Sequence, residues 1–101
     1  MEEHYHALYK AGKRAVQFLE NEGYIVHNLN LKSTPFQLVA SNGTRTRYIR
    51  LYVTPKGKLP SFKAILYGLT KTTLPLASSK ELWVWEIRTG WHFYPVNENH
   101  E

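Results

Sequence analysis

All eight carboxylates of the chain are glutamates, at positions 2, 3, 20, 22, 81, 86, 98 and 101, and the sequence contains neither aspartate nor cysteine. A hard cation such as Mg²⁺ is held by oxygen ligands, normally one or two carboxylates with water and phosphate. Four of the acids fall in the terminal stretches, which leaves Glu20, Glu22, Glu81 and Glu86 for any such work in the body of the chain. Thiolate chemistry and a disulfide framework are excluded for want of cysteine. A Ser-His-Asp triad is excluded for want of aspartate, although a glutamate version stays formally open. Ser78-Ser79 has no nucleophile-elbow context, and there is no glycine-rich phosphate cradle. His4 and His6 stand two apart on a predicted helix and diverge, while His27 and His92 have no Cys or Asp near them in sequence. No metal-ligand set is expected from them.

The cations say more. Thirteen Lys and Arg give a net charge of +5 and a pI near 9.6. That balance suits a polyanionic partner, nucleic acid first and an anionic membrane surface second. Lys10, Lys13, Arg14 and Gln17 recur at helical spacing and could track a phosphate backbone, with Lys56-Gly57-Lys58 as a second contact. The same spacing also suits a plain solvated face. By the two-residue period of a strand, Tyr48, Arg50 and Tyr52 share one face. A guanidinium there can donate two parallel hydrogen bonds to phosphate, and a tyrosine can stack on a base. The alternative is that Arg50 and Tyr52 only fill space.

The elements that must position these groups follow from periodicity. The 101 residues suffice for a single domain with one core. Residues 4–21 read as a helix with Leu8, Ala11, Ala15, Phe18 and Leu19 as its apolar stripe, stopped at Gly23. Strands follow at 24–29 and 36–41. Asn42-Gly43 reads as a tight hairpin turn into a third strand at 45–54. Pro60-Ser61 opens a short helix with Phe62, Ile65, Leu66 and Leu69 inward. The last two strands, 81–88 and 91–96, meet at a Thr89-Gly90 hairpin. The order α-β-β-β-α-β-β predicts an α+β sandwich, a mixed sheet flanked by two helices. Trp83, Trp85 and Ile87 share a strand face and read as core; the other reading of the Trp-rich end is a stacking platform or a subunit interface.

That order, with several local phrases, resembles the PD-(D/E)XK (restriction-endonuclease-like) nuclease superfamily, and most of all its small archaeal Holliday-junction-resolvase-like members. Gly12 through Tyr24 is similar to their first helix and its Gly-aromatic exit. Phe36-Gln37-Leu38-Val39-Ala40-Ser41-Asn42-Gly43 is similar to their "PDIVA-x-NG" strand, and Tyr48-Ile49-Arg50-Leu51-Tyr52 to their "IEVK" strand. Trp91-His92-Phe93-Tyr94-Pro95-Val96 is similar to their closing "W-x-F-x-P" strand. The resemblance implies that the family's metal-binding acids and lysine correspond to Gln37, Arg50 and Tyr52, and that a further helix Glu falls near Arg14. A neutral amide and a guanidinium are poor partners for Mg²⁺. It also implies that Gln37, Arg50 and Tyr52 converge on the former metal pocket, with phosphate held directly.

The expectation from sequence is therefore a single domain over residues 1–101, with a core at about 5–96 and a polar tail at 97–101. It is expected to be soluble and cytoplasmic, without membrane association, signal peptide, metal or cofactor. It is expected to bind nucleic acid, DNA before RNA, without being an enzyme, through Lys10, Lys13, Arg14, Gln37, Arg50, Tyr52, Lys56 and Lys58. The alternatives are a protein-interaction scaffold that could form a homodimer, and a Mg²⁺-dependent nuclease with relocated acids centred on Glu86.

Overall fold

The computed structural model describes residues 2–29, 32–75 and 78–96, with side chains from residue 6 onward. Two helices and five strands follow in the order α1 (Glu2–Asn21), β1 (Ile25–Asn28), β2 (Leu38–Ser41), β3 (Thr46–Thr54), α2 (Lys63–Thr70), β4 (Ser78–Glu86) and β5 (Gly90–Pro95). The strands form one sheet in sequential order, antiparallel except between β3 and β4, which run parallel. A parallel pair needs a crossover connection, and α2 supplies it. This is the predicted mixed α+β architecture. Among the described residues no helix is long and apolar enough to cross a membrane.

Each sheet face has its own core. On one face Ala15 and Leu19 of α1 meet Leu38, Ala40, Ile49, Leu51 and Trp83, with Tyr24 closing the end. On the other, Phe62 and Leu69 from the α2 segment meet Phe36, Leu82 and Val84. The alternation of β3 divides its residues as the sequence implies, Ile49 and Leu51 toward α1 and Tyr48 and Tyr52 toward α2. The buried line of α1 is Ala11, Ala15 and Leu19, and its two alanines let the helix lie close to the sheet. Phe18, predicted inside, is 40% exposed because it sits at the flank of that line and meets Trp83 by its edge, 5.8 Å between ring centroids. After Asn21 the chain leaves the helix through Gly23 at φ 93°, with the Tyr24 N–H donating to Leu19 O, as the predicted glycine stop requires.

Several boundaries differ from the sequence reading. β2 begins at Leu38, not at 36. Phe36 and Leu38 lie in different cores, so the two-residue alternation breaks at Gln37. The Asn42-Gly43 turn is a four-residue loop between the paired residues Ser41 and Thr46. The Asn42 side chain organises it, accepting from the N–H groups of Thr44 at 3.0 Å and Arg45 at 2.8 Å. β4 starts three residues before the predicted 81. Ser78, Ser79 and Lys80 pair with Thr46, Arg47 and Tyr48, and buried Lys80 donates from Nζ to Thr70 O at the end of α2, 3.0 Å away. It also ends two residues early, because Glu86 pairs with Gly90 and residues 87–89 make the turn. The left-handed residues there are Arg88, at φ 68°, and Gly90.

Candidate nucleic-acid interface

Lys10, Lys13 and Arg14 are exposed along α1, on the side away from the Ala11-Ala15-Leu19 line. Lys13 lies over the Tyr9 ring at 5.5 Å and Arg14 over the Trp85 ring at 4.9 Å. None of the three makes an ion pair among the described residues. Beside Lys13 a groove of about 670 Å³ runs between α1 and the β1–β2 side of the sheet, and Gln17, Glu20, Asn28 and Gln37 contribute its polar lining.

Gln37 spends its side chain on the backbone. Its Oε1 accepts from the Leu51 N–H at 2.7 Å, and its Nε2 donates to the Leu51 carbonyl at 3.1 Å. The ladder Leu38↔Ile49 would place Phe36 opposite Leu51. The amide of Gln37 takes that position instead, and Phe36 is released into the α2-side core. Arg50 donates from Nη1 to the Pro35 carbonyl at 2.9 Å, while its Nε is buried with no acceptor among the described residues. Tyr52 packs edge-on against Phe62, 5.2 Å between centroids. The three residues therefore do not meet in one pocket as the resemblance implied. Gln37 lines the groove beside α1, and Tyr52 is packed on the opposite sheet face.

Lys56 and Lys58 are exposed on the loop after β3, whose shape is set from below. Gly57, at φ 73°, donates its N–H to Glu86 Oε2 at 2.7 Å, and the Thr54 hydroxyl donates to the Lys58 carbonyl at 2.8 Å. The other Glu86 oxygen lies 2.8 Å from His92 Nε2. The Gly57 N–H, then His92, hold the Glu86 carboxyl below its ordinary range. Glu86, on which the relocated-acid alternative is centred, is the last residue of β4 and is buried. The sequence reading missed its partner. Glu86 and His92 flank a hairpin turn, so the hairpin register was the signal that could have joined them.

Glu81 is engaged as fully. Arg47 donates to both its oxygens at 2.8 Å, joined by the Ser79 hydroxyl at 3.1 Å and the Trp83 indole N–H at 2.9 Å. Burial pushes the Glu81 carboxyl up, but these donors, Arg47 foremost, outweigh it and hold it low. The Glu81 hydrogen bond raises the Arg47 guanidinium in turn. Among the described residues no group of three or more His, Cys, Asp or Glu is gathered to hold a metal ion.

No protein-family model and no curated protein sequence matches the chain. Its structure is similar to the 1.6 Å structure of Hjc, a Holliday junction resolvase from the archaeal hyperthermophile Archaeoglobus fulgidus. The TM-score is 0.62 at 18% sequence identity, over 86% of this chain and 74% of the resolvase. The likeness shows the restriction-endonuclease-like fold that the sequence resemblance implied. It also corrects one expectation. A solved protein with this fold is a Holliday junction resolvase, an enzyme, and the expectation that the chain is not an enzyme is withdrawn.

Proposed function

We propose that this chain is a nuclease-like domain that acts on nucleic acid, DNA before RNA, and grips the phosphate backbone with the exposed face of α1. The observation that carries this reading is that Lys10, Lys13 and Arg14 present their charge to solvent without ion-pair partners among the described residues, on a resolvase-like fold. Partnerless surface cations release counterions on meeting phosphate, which supplies sequence-independent affinity. Lys56 and Lys58 extend the contact from a loop whose backbone Glu86 and Thr54 hold in place. Arg50 is a weaker contributor, since its Nη1 is given to the Pro35 carbonyl and its Nε, though without an acceptor among the described residues, is buried from solvent. Gln37 and Tyr52 act indirectly, Gln37 by holding the Leu51 backbone of β3 and Tyr52 by packing against Phe62 on the other sheet face.

Fluorescence anisotropy with labelled single-stranded, duplex and four-way-junction DNA, at two salt concentrations and with Mg²⁺ present, tests the reading. Affinity that weakens with salt is the expected result. The same mixtures run on a denaturing gel report cleavage of the probe. Absence of binding at low salt would overturn the proposal and make the basic face a solubility feature.

A further inference from the structure

The α1-side face of the sheet carries a second kind of surface beside the basic one. β4 and β5 pair Trp83 with Phe93 and Trp85 with Trp91, so four aromatic rings point to the same side. Their centroids are 4.8 Å apart for Trp83–Phe93 and 5.0 Å for Trp85–Trp91, and Trp91 and Phe93 are near-parallel with an interplanar angle of 22°. Trp83 is buried, but Phe93 at the sheet edge is 50% exposed and Phe18 of α1, 6.1 Å from it, is 40% exposed. A core needs no such outward rings. They form an open strip between α1 and the free edge of β5.

Charge borders the strip on its helix side. Lys10, Arg14 and Phe18 follow at four-residue steps on α1, so cations and strip share one line along the helix. Arg14 itself lies over the Trp85 ring and joins the two surfaces. The acid on this sheet face, Glu81, is neutralised by Arg47. A second copy of the chain, at net +5, would bring like charge to this border. A ligand with flat π faces and regularly spaced anions matches both halves at once.

We infer that this strip stacks the unpaired bases of single-stranded nucleic acid while Lys10 and Arg14 hold the adjoining phosphates. The inference rests on the proposed function and narrows its substrate class to strands, flaps or loops whose bases are free to stack. Paired bases keep their faces to each other and gain nothing from such a platform, whereas each exposed base can stack on an aromatic side chain whatever its sequence.

The test compares oligo(dT) with a duplex of equal length, using the whole chain, its Phe93→Ala variant and its Phe93→Tyr variant. Phe93 is half exposed on an edge strand, so its truncation spares the core. The expected result is quenching of tryptophan emission by oligo(dT). Phe93→Ala should weaken oligo(dT) binding by about tenfold and leave duplex binding within about twofold. Phe93→Tyr, which keeps a ring, should restore it. Equal binding of both probes with Phe93→Ala harmless would overturn the strip and leave the basic face standing. No binding of either probe would overturn the proposed function and this inference together. Sedimentation showing a dimer that Phe93→Ala dissolves, with oligo(dT) binding unchanged, would assign the strip to self-association and overturn it too.

Discussion

Gln37 and Leu51 are joined by two hydrogen bonds between a side chain and a backbone, the carboxamide of one reproducing the strand partner that the other would lack. Leu51 can thus stay in the β3 ladder while Phe36 turns into the opposite core. Gln37→Glu keeps the acceptor but sets a charged oxygen against the Leu51 carbonyl. The variant should lose about 1–3 kcal/mol at neutral pH. The introduced carboxyl would be neutral in the fold by preference, so its pKa is raised and stability should recover as pH falls toward the range where it protonates. Urea unfolding at pH 7 and at about pH 4.5 checks this; a pH-independent loss would show that the amide is not a ladder surrogate.

Reversing charge on the α1 face is the direct test of phosphate binding. Lys13→Glu with Arg14→Glu should weaken DNA binding by at least tenfold, and the slope of log affinity against log salt should become shallower by about two units. Both residues are exposed and the one contact given up is that of Arg14 with the Trp85 ring, so the melting temperature should fall only slightly. Anisotropy across a salt series reads the slope.

Glu86 ties together the Lys56-Gly57-Lys58 loop and the β4–β5 hairpin. Its folded pKa is depressed, so the stability it contributes is present above the unfolded carboxyl value and is lost as pH falls through the folded one. Glu86→Gln should therefore melt earlier than the parent at pH 7, and the two should converge toward about pH 3. Thermal melts at both pH values check the sign, and a gap that widens in acid would contradict it.

The Arg47–Glu81 pair is the bidentate ion pair between β3 and β4, with Tyr24 and Trp83 rings at 5.1 Å and 5.6 Å from the guanidinium carbon. Glu81→Ala strands that guanidinium, and the Trp83 indole N–H with it. A loss of about 2–3 kcal/mol is expected, less than for a fully buried pair because part of each side chain reaches water. Arg47→Met with Glu81→Leu together should cost less than Glu81→Ala alone. Denaturant midpoints of the three variants decide it.

Gly12 offers a change in the other direction. It lies inside α1, and a Cβ there would meet Leu51 Cδ1 at an ordinary 3.8 Å. Gly12→Ala should stabilise the chain by about 0.5–1 kcal/mol through helix propensity alone. A urea midpoint that falls would mean that α1 cannot accept even a methyl group against the sheet.

The legible part of the molecule was whatever repeats. The apolar stripe from Leu8 to Leu19 gave α1, with Phe18 alone misplaced inside, and the alternation along 45–54 gave β3 with its residues divided between the faces as observed. What escaped were places where a side chain does a backbone's work or where partners are distant. Nothing in "Phe-Gln-Leu" announces that the glutamine amide will replace a strand residue. Lys80 fell outside the predicted strand at 81–88, and its role at the end of α2 exists only after the crossover closes. Of the candidate site, the basic face of α1 could be read from spacing, since it needs only one helix. The proposed meeting of Gln37, Arg50 and Tyr52 depended on strand alternation holding through Gln37, where it breaks.

The parallel seam between β3 and β4 also sets how the chain must assemble. Its ladder partners, from Thr46↔Ser78 to Thr54↔Glu86, are 32 positions apart, while β2–β3 and β4–β5 are joined by short turns. Hairpins zip in about 1–10 μs, but the seam must first close a long loop and wait for α2 to pack. Refolding should thus begin as two hairpin blocks and end with their fusion. Until fusion, the tryptophans of the second block stand in water without Arg14 beside them. The strip and the cations that border it come into being in the same final event.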